Sequence, residues 1–248
     1  MMPEAFEKPD YGFPTWHTAL NLFYGFLLLL TAALGYLLVT PFLLALAAPA
    51  AYMFWRALSW RKGGFLEEKL RLRKEFLRHV RPKDGERVLD VGTGGGLLAI
   101  GYAKAMKEGE VIGIDIWLPM AGGTSKETAL RNAEIEGVTG KVKFQRGDAR
   151  RIPYPDNHFD KVIASFAIHV IPRKEREKAL REMVRVLKPG GIFAILEPDS
   201  DRWIGWRVDE RLKEKLTSLG LRNVKLHPIT LTYPKKRTAY LITGEKSR

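Results

Sequence analysis

The strongest constraint on this chain is the stretch Arg87–Gly96, RVLDVGTGGG. A short apolar run (Val88, Leu89, Val91) breaks into a turn holding four glycines within five residues. An uninterrupted apolar run of that length reads as a strand buried on both faces, which is the mark of a parallel sheet. Leu97–Lys107 follows with Leu97, Leu98, Ile100, Ala103 and Met106 on one side, as a helix requires. A strand, a glycine turn and a helix in that order leave backbone N–H groups and the positive helix end facing a ligand. Gly92, Gly94 and Gly96 carry no side chain to keep that ligand away. Asp115 closes the next apolar run 23 residues after Gly92, the offset at which an acidic side chain takes ribose hydroxyls. The stretch therefore predicts a site for a nucleoside-bearing cofactor.

The glycine turn is shared by several cofactor classes, and here it lacks the G-x-x-G tail of the dinucleotide fingerprint. Three further motifs follow it in order: GDAR at 147–150, IPYPDNHFDKV at 152–162 and RVLKPGG at 185–191. This ordered set resembles the class I S-adenosylmethionine-dependent methyltransferases, most closely their quinone-biosynthesis branch, from about Phe65 to Gly244. The resemblance implies a Rossmann-like α/β fold with a seven-stranded sheet, mostly parallel and closed by an antiparallel C-terminal strand. It implies S-adenosylmethionine as cofactor, with Gly92, Thr93 and Gly94 along its methionine half and Asp90 nearby. It also implies Asp115 on the ribose, Ile116 against the adenine, and Asp148 with Ala149 at the adenine edge. For Asp90 a purely structural role competes strongly.

Alternating apolar runs and helical patterns agree with a doubly covered sheet. Strands are expected near 87–92, 110–115, 141–146, 159–165 and 190–196, helices near 96–107, 124–137, 173–187 and 208–219, and a terminal hairpin around YPKKR. Ligands of such sheets sit beyond the carboxyl ends of the strands, where Asp90, Asp115, Asp148 and Ser165 all fall. A methyl acceptor that must lose a proton needs a base. His169, just past the fourth strand, is the candidate, and packing at a helix start is its alternative. Glu197 and Asp199 follow the fifth strand and could orient an acceptor, although Asp199 could equally cap the next segment. In the longer lead after Asp115, Trp117 and Met120 are expected as an apolar tip at the substrate mouth. In the short link after the fifth strand, Trp203 and Trp206 stand among arginines, which suits a membrane interface or packing on the domain.

The first sixty residues lie outside the resemblance. Tyr11–Trp55 contains no Asp, Glu, Lys or Arg over 45 residues. His17–Val39 as a helix would rise about 34 Å, enough for a hydrocarbon core of about 30 Å. Two domains are expected: residues 1–62 as an N-terminal transmembrane hairpin, with helices about 17–39 and 41–59, and residues 63–248 as the catalytic domain. From Arg56 to Arg87 eleven Lys/Arg stand against five Asp/Glu, which suits anionic headgroups and puts the catalytic domain on the cytoplasmic side of the cell membrane. The helix expected over Phe65–Val80 feeds the amino end of the first strand. Its start, and with it the hairpin, should therefore lie at the cofactor edge, opening the site toward the bilayer. The expected partners are the lipid bilayer and a lipidic or other hydrophobic acceptor. A nucleic-acid acceptor fits poorly, since the fourth strand ends in SFAI rather than N/D-P-P-Y and the chain has no cysteine. A soluble acceptor, a non-enzymatic cofactor-binding membrane adaptor and hydride transfer with NAD are the other readings. No residues show metal-ligand spacing, and the oligomeric state is open.

Overall fold

The computed structural model describes residues 8–11, 15–38, 47–61, 64–118, 124–199, 206–232 and 236–248. The elements are α1 (Thr15–Leu38), α2 (Ala47–Arg61), α3 (Gly64–His79), β1 (Arg87–Val91), α4 (Leu97–Ala105), β2 (Glu110–Asp115) and α5 (Lys126–Ile135). They continue with β3 (Val142–Arg146), β4 (Phe159–Ser165), α6 (Arg173–Val186), β5 (Leu187–Pro198), α7 (Glu210–Ser218), β6 (Leu221–Leu231) and β7 (Arg237–Lys246).

The seven strands form one sheet in the order β3-β2-β1-β4-β5-β7-β6. β1, β2, β3, β4 and β5 pair in parallel, and β7 runs antiparallel between β5 and β6. Neighbours on each strand divide between the two faces, as the pleat requires. Val88 joins Leu72, Phe76, Leu98 and Ala129 under α3, α4 and α5. Leu89 and Val91 join Leu180, Met183, Leu212 and Leu216 under α6 and α7. The three C-terminal strands are longer than their sequence signals. β5 begins at Leu187, inside the RVLKPGG motif, because Leu187 already pairs with Phe159. β6 begins at Leu221 and crosses an irregularity between Arg222 and Lys225, where Asn223 takes a positive φ of 55°. A bulge of this kind hides the period-2 pattern on which strand reading depends.

The strand β1 ends in the turn that the glycines anticipate. Gly92, Gly94 and Gly96 have φ of 71°, 54° and 86°. At Gly92 a β-carbon would overlap that of Ala167 in the loop after β4, so this glycine is required by packing as well as by conformation. The helix α4 has no capping side chain on Gly96. Its Ala99 N–H donates to the Asp90 carboxylate at 3.1 Å, so β1 itself supplies the cap.

Two features of the N-terminal region differ from the sequence reading. First, Tyr11 is buried in the same core as Leu72 and Phe76. Its hydroxyl donates to Glu136 and accepts from Arg73 at 3.0 Å, and burial raises its pKa. Asp10 bonds to Asn132 through both its N–H (2.7 Å) and its carbonyl (2.5 Å). Residues 10–11 thus belong physically to the α/β unit, and the helix pair is an excursion from it. Second, α1 and α2 pack where Gly25 lies against Phe54 and Ala50, with Phe23, Phe26, Leu27, Tyr52 and Trp55 exposed. Among the described residues no helix is long and apolar enough to cross a membrane. The side chains of Trp16 and Trp60 lie outside the described residues.

The helix α3 runs as anticipated. Glu68, in its second turn, accepts from the N–H and hydroxyl of Thr232 at 2.8 Å each, just past the end of β6. Because β6 points the same way as β1, Thr232 lies at the carboxyl rim, and so does the start of α3. Arg61 ends α2 and Gly64 begins α3, three residue steps on, so at most about 11 Å separates them. The helix pair is therefore rooted at the carboxyl rim at both of its chain ends.

Candidate active site

The carboxyl rim gathers side chains from four strand ends. Asp115, at the end of β2, accepts from Gly94 N–H at 2.9 Å and from Trp117 N–H at 2.8 Å. The carboxylate leans on the glycine turn, half-buried, with lone pairs left for further donors. Asp90 is buried instead and accepts from the Thr93 hydroxyl at 2.7 Å as well as from Ala99. Burial pushes its pKa up to about 7 against those two hydrogen bonds, and the nearby Asp115 charge adds to the rise. Asp90 and Thr93 thus fix the shape of the turn, and the structural alternative for Asp90 accounts for everything its carboxylate does. Ile116 follows Asp115 and is half-buried.

At the end of β3, Asp148 is engaged by Arg150 through the backbone N–H (2.8 Å) and the guanidinium (2.6 Å). This holds its carboxyl below the usual range. Ala149 packs on the core beside it. Ser165 ends β4 next to β1 and is half-buried.

The most developed constellation follows β4. Glu197 on β5 is fully buried. Its Oε1 accepts from Ala167 N–H (3.0 Å) and Ile168 N–H (2.8 Å), and its Oε2 lies 2.7 Å from His169 Nδ1. Three backbone amides, counting His169 N–H at 3.3 Å, hold the carboxylate in place. A carboxylate so held fixes the imidazole's orientation and tautomer and leaves Nε2 as the free ring nitrogen. His169 and Glu197, singled out separately in the sequence, form one unit. Arg176 donates to the His169 carbonyl at 2.5 Å and closes the loop behind it.

One expectation is corrected here, that for Trp117. Asp199 accepts from Val208 N–H at 3.2 Å and closes the loop after β5, as its capping alternative has it. Trp117 is not an exposed tip: at φ 42° its ring folds back, and its Nε1–H donates to the Gly94 carbonyl at 3.0 Å. An indole N–H seeks an acceptor when its ring packs, and the glycine turn offers one. Trp206 takes the second of its two expected placements and packs on the domain under the Arg176 guanidinium, 5.9 Å from its ring centre. Met120 and Trp203 lie outside the described residues. One side chain was missed altogether. Lys69 on α3 lies over the rings of Phe65 (5.2 Å) and Phe166 (6.0 Å), at this same rim. In the sequence it stands in EEKLRLRK and reads as part of a solvated face.

Residues 88–191 match the family model described as a methyltransferase domain. Over residues 88–191 this α/β unit carries a methyltransferase domain. Among curated relatives it is similar to the ubiquinone/menaquinone biosynthesis C-methyltransferase UbiE of Azotobacter vinelandii, 41% identical over 115 residues, 46% of this chain and 42% of that one. The counterpart of Ectopseudomonas mendocina is 40% identical over 131 residues, 51% of this chain and 48% of its own. The chain thus spans less than half the length of these relatives. In fold the methyltransferase domain resembles a putative methyltransferase solved with the Haloferax volcanii Trm112 activator (TM-score 0.60, 20% identity, 75% of this chain and 93% of that one). It also resembles a SAM-dependent methyltransferase of Aquifex aeolicus (TM-score 0.54, 24% identity, 70% and 89%).

The rim fits the cofactor of this class. Asp115 presents an acceptor-only carboxylate beside a turn free of side chains, which suits a vicinal diol. Gly92, Thr93 and Gly94 line the turn. When bound, S-adenosylmethionine supplies a sulfonium methyl already activated toward a nucleophile. The domain's own residues then have to hold the acceptor and, where it carries a labile proton, remove it.

Proposed function

We propose that the chain is a membrane-associated methyltransferase whose acceptor is a hydrophobic molecule dissolved in the bilayer, carrying a hydroxyl that is deprotonated at the site. The reading rests on one observation above others: α3 is pinned to the carboxyl rim through Glu68 and Thr232, so the helix pair leaves the domain beside the glycine turn and the His169–Glu197 pair. The exposed Phe23, Phe26, Leu27, Tyr52 and Trp55 on that pair support burial in lipid, and its Gly25 contact is of the small-residue kind that helices use there. The excess of Lys and Arg after Trp55 supports a domain on the cytoplasmic side. The relatives named for quinone biosynthesis favour a lipid-soluble ring as acceptor, and methylation on carbon.

In this reading Asp115 holds the ribose, Ile116 and Ala149 flank the adenine, and Asp148 meets its edge by releasing part of its contact with Arg150. Gly92, Thr93, Gly94 and Ser165 surround the methionine half. His169 acts as base, with Glu197 behind it stabilising the imidazolium that forms. The test is transfer of labelled methyl from S-adenosylmethionine by the full chain to total membrane lipid, with the product identified by mass. Label in a lipid-soluble ring compound is the expected result. Label confined to nucleic acid or to water-soluble molecules refutes the reading.

A further inference from the structure

We propose that Lys69 holds the acceptor's deprotonated oxygen, beside the Phe166 ring that the His169–Glu197 pair also borders; this rests on the methyl-transfer reading above. Phe166 is the pivot. It directly follows Ser165 at the end of β4 and takes a positive φ of 54°, a conformation that costs a bulky side chain energy and persists only where its surroundings impose it. Its N–H donates to Leu196 O at 2.8 Å, which ties it to β5. The Lys69 ammonium stands 6.0 Å from the centre of this ring, and the His169 ring meets it edge-on at 6.4 Å. The Phe166 ring is thus bordered by a cation and by an imidazole whose Nδ1 is committed to Glu197.

Among the described residues the Lys69 ammonium makes no hydrogen bond or ion pair, while the charged groups around it are already committed. Glu68 is taken by Arg71 and Thr232. Arg73 is taken by Tyr11 and Glu136. From the N-terminal segment the Asp10 charge acts on Lys69, and near the ring Glu197 is held by its amides and His169. Burial against the two aromatic rings brings Lys69 down to about 8, with Asp10 opposing the shift. A half-buried cation that makes no hydrogen bond or ion pair among the described residues suits an anion that arrives with the ligand.

The chemistry balances within these residues. His169 Nε2 takes the proton of the acceptor's hydroxyl: the O–H bond breaks, an N–H bond forms, and the electron pair stays on the oxygen. That oxygen becomes negative, and Lys69 is the nearby cation able to meet it. On a ring hydroxyl the charge spreads to the adjacent carbons and makes them nucleophilic. The Phe166 face offers such a ring a flat surface.

The full chain, in detergent micelles, can be tested with 4-nitrophenol, whose phenol and phenolate forms absorb differently. Lys69→Met should weaken phenolate binding roughly ten- to a hundredfold, the loss of a charge-assisted contact. Lys69→Arg should restore most of it, and a cofactor titration should be unchanged in both variants. In the parent chain, binding of the phenolate should weaken as pH rises through about 8, and this step should vanish in Lys69→Met. Unchanged probe affinity and pH profile in Lys69→Met overturn the Lys69 assignment and leave the methyltransferase reading standing. A parent chain that binds cofactor and transfers methyl to an acceptor without an ionisable hydroxyl overturns the hydroxyl-acceptor reading and the Lys69 assignment with it.

Discussion

The two rims of the sheet carry comparable numbers of charges and treat them in opposite ways. At the amino rim the charges satisfy one another. Lys161, 3% exposed, pairs with Glu86, and Lys188 pairs with Asp160 at 2.7 Å. Asp160 in turn accepts from the Arg87 N–H at 2.9 Å. A cavity of about 600 Å³ lies here, lined by these groups with His79, Lys225 and His227. At the carboxyl rim Asp90, Asp115 and Glu197 are held chiefly by backbone N–H groups of the turns around them. A carboxylate held by amides keeps its place without a neighbouring Lys or Arg to occupy it, so it can act on something else. Side-chain pairs such as Lys161–Glu86 thus tie strands together at the amino rim, whereas amides anchor Asp115 and Glu197 at the rim available for chemistry.

Substitutions at the two rims should separate these roles. Glu197→Gln should have the largest effect on turnover, a fall of about 10²- to 10⁴-fold, because it removes the partner that sets the His169 tautomer. Cofactor affinity, read by calorimetric titration, should stay near that of the parent. Glu86→Gln should do the reverse. Breaking a buried pair leaves the Lys161 charge uncompensated and should cost about 3 kcal/mol in urea unfolding, with turnover per folded molecule unchanged. Should Glu86→Gln impair catalysis as strongly as Glu197→Gln, the contrast between the rims would collapse. Asp115→Asn should come next, weakening cofactor binding about tenfold through the loss of one charged hydrogen bond.

The smallest effects are expected from acid. Burial opposes ionisation of Glu68, but hydrogen bonds from Arg71 and Thr232 outweigh it and lower its pKa to about 2. Glu136 is likewise lowered to about 2, by Arg73, Tyr11 and Lys104 against its burial. Groups with depressed folded pKa values contribute stability that is complete above their ordinary value of 4.5 and is lost as pH falls through about 2. Each should contribute about 1–2 kcal/mol after solvent screening, visible as a decline in thermal midpoint over that window. Asp90, raised to about 7, works in the opposite direction: its contribution is complete below 3.8 and fades as pH rises through about 7. Glu136→Gln should remove about half of the acid decline.

The sheet, the helices around it and the glycine turn are legible because each depends on residues close together in the sequence. Apolar runs mark β1 to β5, and the glycines mark the turn where positive φ is needed. Asp115 is legible by its offset. What stays hidden depends on partners far along the chain. Lys69 looks solvated until Phe166, nearly a hundred residues later, folds against it. Trp117 looks exposed until its N–H finds the Gly94 carbonyl. His169 and Glu197 are each visible as strand-end residues, but their pairing requires β4 and β5 to be neighbours, a property of the sheet rather than of either segment. Tyr11 falls within an uncharged run and reads as the start of a helix-forming stretch, while its hydroxyl meets Arg73 and Glu136 in the α/β unit.

The packing of residues 10–11 has a mechanical side. The Asp10 carbonyl presses on Gly95, where any β-carbon would clash with it, and the chain re-enters the domain at Gly64 on the same rim. A segment rooted at both ends cannot swivel like a single-stranded leash. One of its two clamps is the glycine turn itself, and any shift of that turn is passed directly to the base of the pair.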